Sequence, residues 1–482
     1  MAKESEPSDV KPATPEPVWI GSKPIAGGLK RTAVRSWTVT MFGQGAKFVI
    51  NLVTTAIVAR ILTPADYGLV AMVTAFLSFI SLFKDLGLSQ ATVQRETITQ
   101  QQVSGLFWFN VAMGVLIMLL TAATAPLVSR FYGQAELTWI CLAYAAMAPI
   151  SALGAQHGAL LRRSMQYRSL ALRDLVATCI GAAAGILCAM RGFGYWSLVI
   201  MQAVTEVAGT LTLWWQSGWR PSRPRWTDDL KPLLRFGGTL TLSNLLGFVM
   251  SGLDSVVIGF FFGPTGLGLY NRAQNTLSRP LKQLLPPIMN VAGSAFARAA
   301  SDKTKFESAA IQLSFLIVCG SSLIVAFVIV CADWIVLILL GPNWSEAVPI
   351  TRVLALFALV EPIASMLGTL LTARGLPGKL VRWRIASASI IVVGLLVGLP
   401  WGPLGVAAAY SLSGLFIRTP LFVWYSCRCL GLPAARIFAS IAPPVIAAGV
   451  AAGTLLVLRP HIPFQGGPVY AVLLYGLGTA LL

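Results

Sequence analysis

Runs of about twenty apolar residues follow one another along almost the whole chain, separated by short polar breaks. At 1.5 Å per helical residue, each run matches the roughly 30 Å hydrocarbon core of a bilayer. The runs are continuous rather than alternating, so they lack the in/out pattern of a membrane barrel. Helices remain as the way to satisfy every backbone group in lipid. The pattern predicts about fourteen transmembrane helices, near 35–61, 66–88, 103–129, 137–161, 170–190, 195–216, 233–262, 266–297, 308–340, 347–373, 380–400, 403–426, 436–458 and 468–482. The last run has only about fifteen residues and no polar tail, and reads as a helix whose end is incomplete. Residues 1–34 are polar and rich in Pro, Lys and Glu, which predicts a disordered tail without a cleavable signal. The expected organisation is this tail, a six-helix unit over 35–219, a basic linker over 220–232, a second six-helix unit over 233–430, and two further helices within 431–482.

Composition agrees with the pattern. The 482 residues are 56% hydrophobic and 11% charged, against about 25% charged in soluble domains. The net charge of +18 would suit a nucleic-acid binder, but its distribution excludes that reading. With a cytoplasmic tail, 25 of the 36 basic residues fall in the tail or the even-numbered loops, such as Arg162, Arg163 and Arg168. Four fall on the opposite side: Arg60, Arg130, Arg191 and Arg459. That bias is a positive-inside signal and predicts a multi-pass protein of the inner membrane with its N-terminus in the cytoplasm. The seven cysteines lie in or at the ends of apolar runs, so no disulfide framework is expected. Cys427 and Cys429 have no second pair or His nearby, so neither metal nor cofactor is expected.

The two halves share a motif. "LTPADYGLV" opens the second span with Pro64, Gly68 and Leu69, and "FGPTGLGLY" opens the eighth with Pro264, Gly268 and Leu269. Arg35 and Arg235, Leu77 and Leu277, and Ser78 and Ser278 keep the same offset of 200 residues. Six helices separate the copies, which makes this a parallel repeat of the kind that builds two lobes around a midplane site.

Charges inside the spans are costly, about 2.5–3.5 kcal/mol each at the bilayer centre, and call for a polar cavity. On the eighth span Arg272, Arg279 and Lys282 are spaced seven and three apart, on one helix face shared with Asn275. With Lys47 on the first span they form a candidate anion-binding cavity, since Arg supplies bidentate donors for phosphate. Neutralisation of this ladder by Asp254 and Glu361 is the competing reading. Asp254, Glu206 and Glu361 are candidates for ion coupling, with Arg418 as a balancing charge that could instead pair with Glu361.

"ARILTPADYGLVAM" from Ala59, "DLGLSQATVQR" from Asp85 and "YNRAQNTLSRPLKQLLPPIMNVAGSAFAR" from Tyr270 resemble the polysaccharide transporter family, the Wzx-type flippases. The resemblance covers essentially the whole chain. It implies the multidrug/oligosaccharidyl-lipid/polysaccharide exporter superfamily, with two six-helix lobes around a central cavity plus C-terminal helices. It further implies a lipid-linked oligosaccharide substrate carried on undecaprenyl pyrophosphate, alternating access, H+ or Na+ as coupling ion, and polysaccharide polymerase and export machinery as partners. A flippase for a peptidoglycan lipid precursor is a close rival. A drug/cation antiporter is disfavoured by the excess of bases in the spans. An enzyme such as a membrane polysaccharide polymerase would need a large outer loop, whereas the outer loops here are short and His157 and His461 sit in no catalytic cluster.

Overall fold

The computed structural model describes residues 29–81, 89, 92, 93, 98–223, 252–299 and 303–459; within 29–39, 78–81 and 277–299, and at 303, 373 and 377, it describes the helix path and not the side chains. Among these residues no strand occurs, and ten helical stretches are long and apolar enough to cross a membrane. The chain is therefore an all-helical, multi-pass membrane protein.

The first half contains α1 (Leu29–Ile61), α2 (Pro64–Ser81), α3 (Gln100–Tyr132), α4 (Glu136–Arg163), α5 (Tyr167–Met190) and α6 (Trp196–Ser217). The second contains α7 (Leu253–Ala299), α8 (Lys303–Leu339), α9 (Ala347–Ala358), α10 (Glu361–Ala373), α11 (Pro377–Gly398), α12 (Gly402–Ser413), α13 (Thr419–Leu430) and α14 (Ala434–Leu458). The expected seventh span enters at Leu253, inside α7. Residues 1–28 of the expected tail, most of the basic linker and the span at 468–482 lie outside the described residues, while residues 29–34 of that tail belong to α1.

Local sequence explains the breaks. Thr99 caps α3 through a reciprocal box: its hydroxyl accepts from the Gln102 N–H at 3.3 Å, and the Gln102 side chain accepts from the Thr99 N–H at 3.1 Å. Three reversals are built from Gly-Pro pairs. Gly263, Gly341 and Gly402 have φ of 67°, 93° and 71° with ψ of −168°, 179° and −166°, a region open essentially to glycine alone. The following Pro264, Pro342 and Pro403 start the next helical segment with a preset φ. Gly263 thus bends α7 between residues 253–262 and 264–299, where the sequence predicted a change of span.

Two expected single spans are discontinuous. The helix over 347–373 breaks between α9 and α10 at Leu359–Val360, just before Glu361 and Pro362. The span over 403–426 passes through a π-helical turn, Gly414–Arg418, between α12 and α13.

The halves meet where α2 crosses the second limb of α7. A β-carbon on Gly68 would stand 1.7 Å from the Pro264 carbonyl oxygen, and one on Gly268 would stand 1.9 Å from that of Pro64. The two copies of the repeated motif therefore touch reciprocally, backbone to backbone. Around the crossing, the Trp344 indole donates to the Ala59 carbonyl at 2.8 Å and Arg60 donates to the Ile338 carbonyl at 2.9 Å. Tyr67 meets Trp344 edge-on at 5.3 Å, and Phe131 packs on Phe260 at 4.8 Å. All these residues belong to the odd-numbered loops or the helix ends beside them. At the opposite end, described side-chain contacts include Arg163 with the Thr92 carbonyl, Trp219 with Gln100, and Arg436 with Glu307.

Candidate functional site

The crossing fixes the direction of the basic ladder. Arg272 follows Gly268 by one helical turn, about 6 Å further along α7. It leaves α7 on the side that faces α2, and its guanidinium stacks 3.8 Å from the centre of the Tyr67 ring. Asn275 lies on the same stripe, and its amide donates to the Asn271 carbonyl one turn back at 2.8 Å. Positions 279 and 282 continue that register along the helix, but the Arg279 and Lys282 side chains lie outside the described residues. Arg272 thus lies directly beneath the sealed end, between the halves.

Asp254 faces another way. Its carboxylate accepts from the Tyr270 hydroxyl at 2.9 Å, the Gln274 amide at 3.4 Å and the Ser255 N–H at 2.8 Å. Asp254 is 5% exposed and Tyr270 wholly buried. Because residues 270 and 272 are about 200° apart around a helix, the carboxylate and Arg272 lie on different sides of α7. Asp254 thus lies inside the second half, in contact with Ser255, Tyr270 and Gln274. In the same half, Arg418 donates to the Tyr410 carbonyl at 2.8 Å and stacks on Phe357 and Tyr410 at 4.7 and 4.4 Å. Arg418 sits in the π-turn and is 7% exposed, and Glu361 heads α10 at the helix break. Both charges therefore occupy irregular backbone, where helices are locally opened.

In the first half, Lys47 of α1 lies 3.4 Å from Asp174 of α5, and Arg173 lies 2.8 Å from the same carboxylate. This draws Lys47 to the α1–α5 contact. Glu206 of α6 accepts from the Gln202 amide one turn before it at 3.3 Å. At the sealed end, Asp333 binds Arg459 and Arg352, the latter at 3.4 Å.

Arg173, Asp174, Tyr270 and Tyr410 complete these groups and were missed in the sequence. Arg173 lies inside α5. The Asp174 carboxyl in the first turns of an apolar run was a visible signal. The tyrosines carried none, since a buried Tyr looks like any other core aromatic. Among the described residues no cluster of His, Cys, Asp and Glu could hold a metal ion.

Fold and site together define a polytopic membrane protein with charged groups held in its interior between and within two helical halves. The chain belongs to the polysaccharide biosynthesis protein family, whose profile matches residues 57–349, more than half of its length. It is 24% identical to the teichuronic acid biosynthesis protein TuaB of Bacillus subtilis (strain 168), over 92% of this chain and 91% of that one. It is 26% identical to the succinoglycan biosynthesis transport protein ExoT of Rhizobium meliloti (strain 1021), over 68% and 66%. Among solved structures it is similar to the lipid II flippase MurJ in an inward closed conformation, with a TM-score of 0.73 and 13% identity over 93% of this chain and 97% of that one. At that identity the likeness is one of fold.

Proposed function

We propose that this protein is a flippase that moves undecaprenyl-pyrophosphate-linked oligosaccharide units from the inner to the outer leaflet of the bacterial inner membrane, for exopolysaccharide, capsule or O-antigen export. The observation that carries this reading is Arg272, seated beneath the sealed end on the stripe of α7 that faces the other half. The pyrophosphate is the group for which such a stripe is suited, because guanidinium forks bind phosphate oxygens in pairs. Arg279 and Lys282 extend the stripe, Asn275 adds an amide, and Lys47 contributes charge from α1 through the Asp174 pair.

Alternating access follows from a seal at one end. The reciprocal Pro-Gly crossing supports two pseudo-symmetric six-helix lobes that rock about it. The charge bias supports a cytoplasmic N-terminus, so that the sealed end faces outward. Asp254 is the leading candidate for H+ or Na+ coupling, with Glu361, Glu206 and the balancing Arg418 behind it. Polymerase and export machinery would receive the flipped unit.

The test is a gene deletion followed by isolation of lipid-linked saccharides from each leaflet. Completed units should be stranded on the cytoplasmic side, and wild type but not Arg279→Ala should release them. Units that reach the outer leaflet unpolymerised would instead assign the protein to polymerisation or assembly.

A further inference from the structure

A second basic site lies inside the first half, away from the α7 stripe. A cavity of about 270 Å³ is bounded by α4, α5 and α6, and its walls include Arg162, Arg173, Ser89, Ser151 and Thr210. Gly154 and its small neighbours Ala152, Ala155 and Gly158 keep the α4 wall low. Among the described residues no acidic side chain lines the cavity. Its lining runs along α4 from Ser151 to Arg162 and includes Leu170 and Arg173 at the start of α5.

The charge at this cavity is unbalanced. Asp174 is shared between Lys47 and Arg173, so with Arg162 three bases stand against one acid among the described residues. Arg173 uses one terminal nitrogen on Asp174, while its Nε is buried and has no hydrogen-bond partner. A β-carbon on Gly209 would lie 2.8 Å from Arg173 Nη2, so the bare α6 backbone is what lets the guanidinium lie there. Burying a guanidinium nitrogen without an acceptor costs about 1–3 kcal/mol, while the bases themselves stay partly exposed, Lys47 at 35% and Arg173 at 30%. An anion in the cavity would meet Arg162 and the accessible part of the Arg173 guanidinium, whose side chain is 30% exposed.

We propose that this cavity is a phosphate-binding site, separate from the α7 stripe, in which Arg162 and Arg173 hold a phosphate or diphosphate group. Its volume sits below the roughly 300 Å³ at which drug-sized pockets begin, so it accepts the phosphate end of a ligand and excludes an oligosaccharide. Two sources offer that chemistry: the headgroup of a polyprenyl diphosphate entering from the near leaflet, and free phosphate from the water. The first rests on the flippase reading; the second does not.

Binding is measured on the full chain in nanodiscs with two probes, farnesyl diphosphate and inorganic phosphate. An Arg272→Gln/Arg279→Gln/Lys282→Gln background silences the α7 stripe. Arg173→Gln, and Ser151→Leu, which fills the cavity without changing charge, should each weaken binding about tenfold. Arg173→Lys, which keeps the charge and loses the fork, should fall between them and wild type and guards against a folding defect. Arg168→Gln, an exposed base outside the cavity, should bind as its parent does. Binding of farnesyl diphosphate alone assigns the lipid headgroup; binding of both probes assigns phosphate from either source. Absence of binding by either probe, or binding untouched by both Arg173→Gln and Ser151→Leu, overturns the site. Flipping is scored in the same background: if it survives loss of the α7 stripe, the cationic-cleft reading fails while the cavity result stands.

Discussion

At the scale of single residues, position on the helix outweighs charge. Arg272 and Asp254 share one element, α7, yet one faces the other half and the other is sealed within its own. Arg272 combines a stack on Tyr67 with a planar fork, and a lysine can reproduce neither fully. Arg272→Lys should slow flipping of a lipid-linked saccharide in proteoliposomes about tenfold, and Arg272→Gln about a hundredfold, by loss of charge-assisted hydrogen bonds. A glutamine variant as fast as wild type would remove Arg272 from the substrate path. Lys47 behaves differently. Its side chain is 35% exposed and that of Asp174 28%, so the pair is half in water and the stability it adds is small. What Asp174 changes is the direction in which Lys47 lies, and thereby the field within the first half.

At the scale of elements, the crossing of α2 and α7 makes the strongest demand on sequence. The 1.7 Å and 1.9 Å separations leave no room for a methyl group at Gly68 or Gly268, and the atoms met are backbone carbonyls that cannot turn aside. Gly68→Ala should therefore force the helices apart and lower thermal stability by about 1–3 kcal/mol, the usual cost of overpacking. Gly320→Ala, on α8 with open space around it, should change stability by less than about 0.5 kcal/mol. Equal unfolding temperatures for the two variants would show that the crossing is not tight in the membrane. This element was half legible beforehand: the 200-residue offset exposed the repeated Pro and Gly, and Pro64 marked the start of α2. That the glycines serve contact rather than helix termination was not legible, because a Gly in an apolar run carries no partner in its own sequence. The break at Leu359–Val360 escaped notice for a similar reason: two aliphatic residues read as helix, and only Pro362 hints otherwise. The π-turn at Gly414–Arg418 left no sequence signal, since it arises from how Arg418 packs between Phe357 and Tyr410.

At the scale of the whole molecule, charge and contact give two independent descriptions of the same asymmetry. Among the described residues, Arg162, Arg163, Arg168, Arg374, Arg382 and Arg384 lie at the end opposite the crossing. The loops poor in base lie at the end closed by Trp344, Tyr67, Phe131 and Phe260. If the basic end is cytoplasmic, the end closed by the crossing faces outward. A single cysteine at Asn275, one turn below Arg272 and partly exposed, reports on this directly once the seven native cysteines are replaced. A charged, membrane-impermeant thiol reagent should label Asn275→Cys in inside-out vesicles at least about tenfold faster than in right-side-out vesicles, as population of one open end requires. Faster labelling from outside would reverse the orientation and place the sealed end in the cytoplasm. Equal labelling would mean that both openings are comparably populated without substrate, so that the Pro-Gly crossing closes the outer end only in part. Labelling that becomes faster from outside when lipid-linked saccharide is added would show the substrate itself shifting the balance, which requires it to bind the outward-open form more tightly.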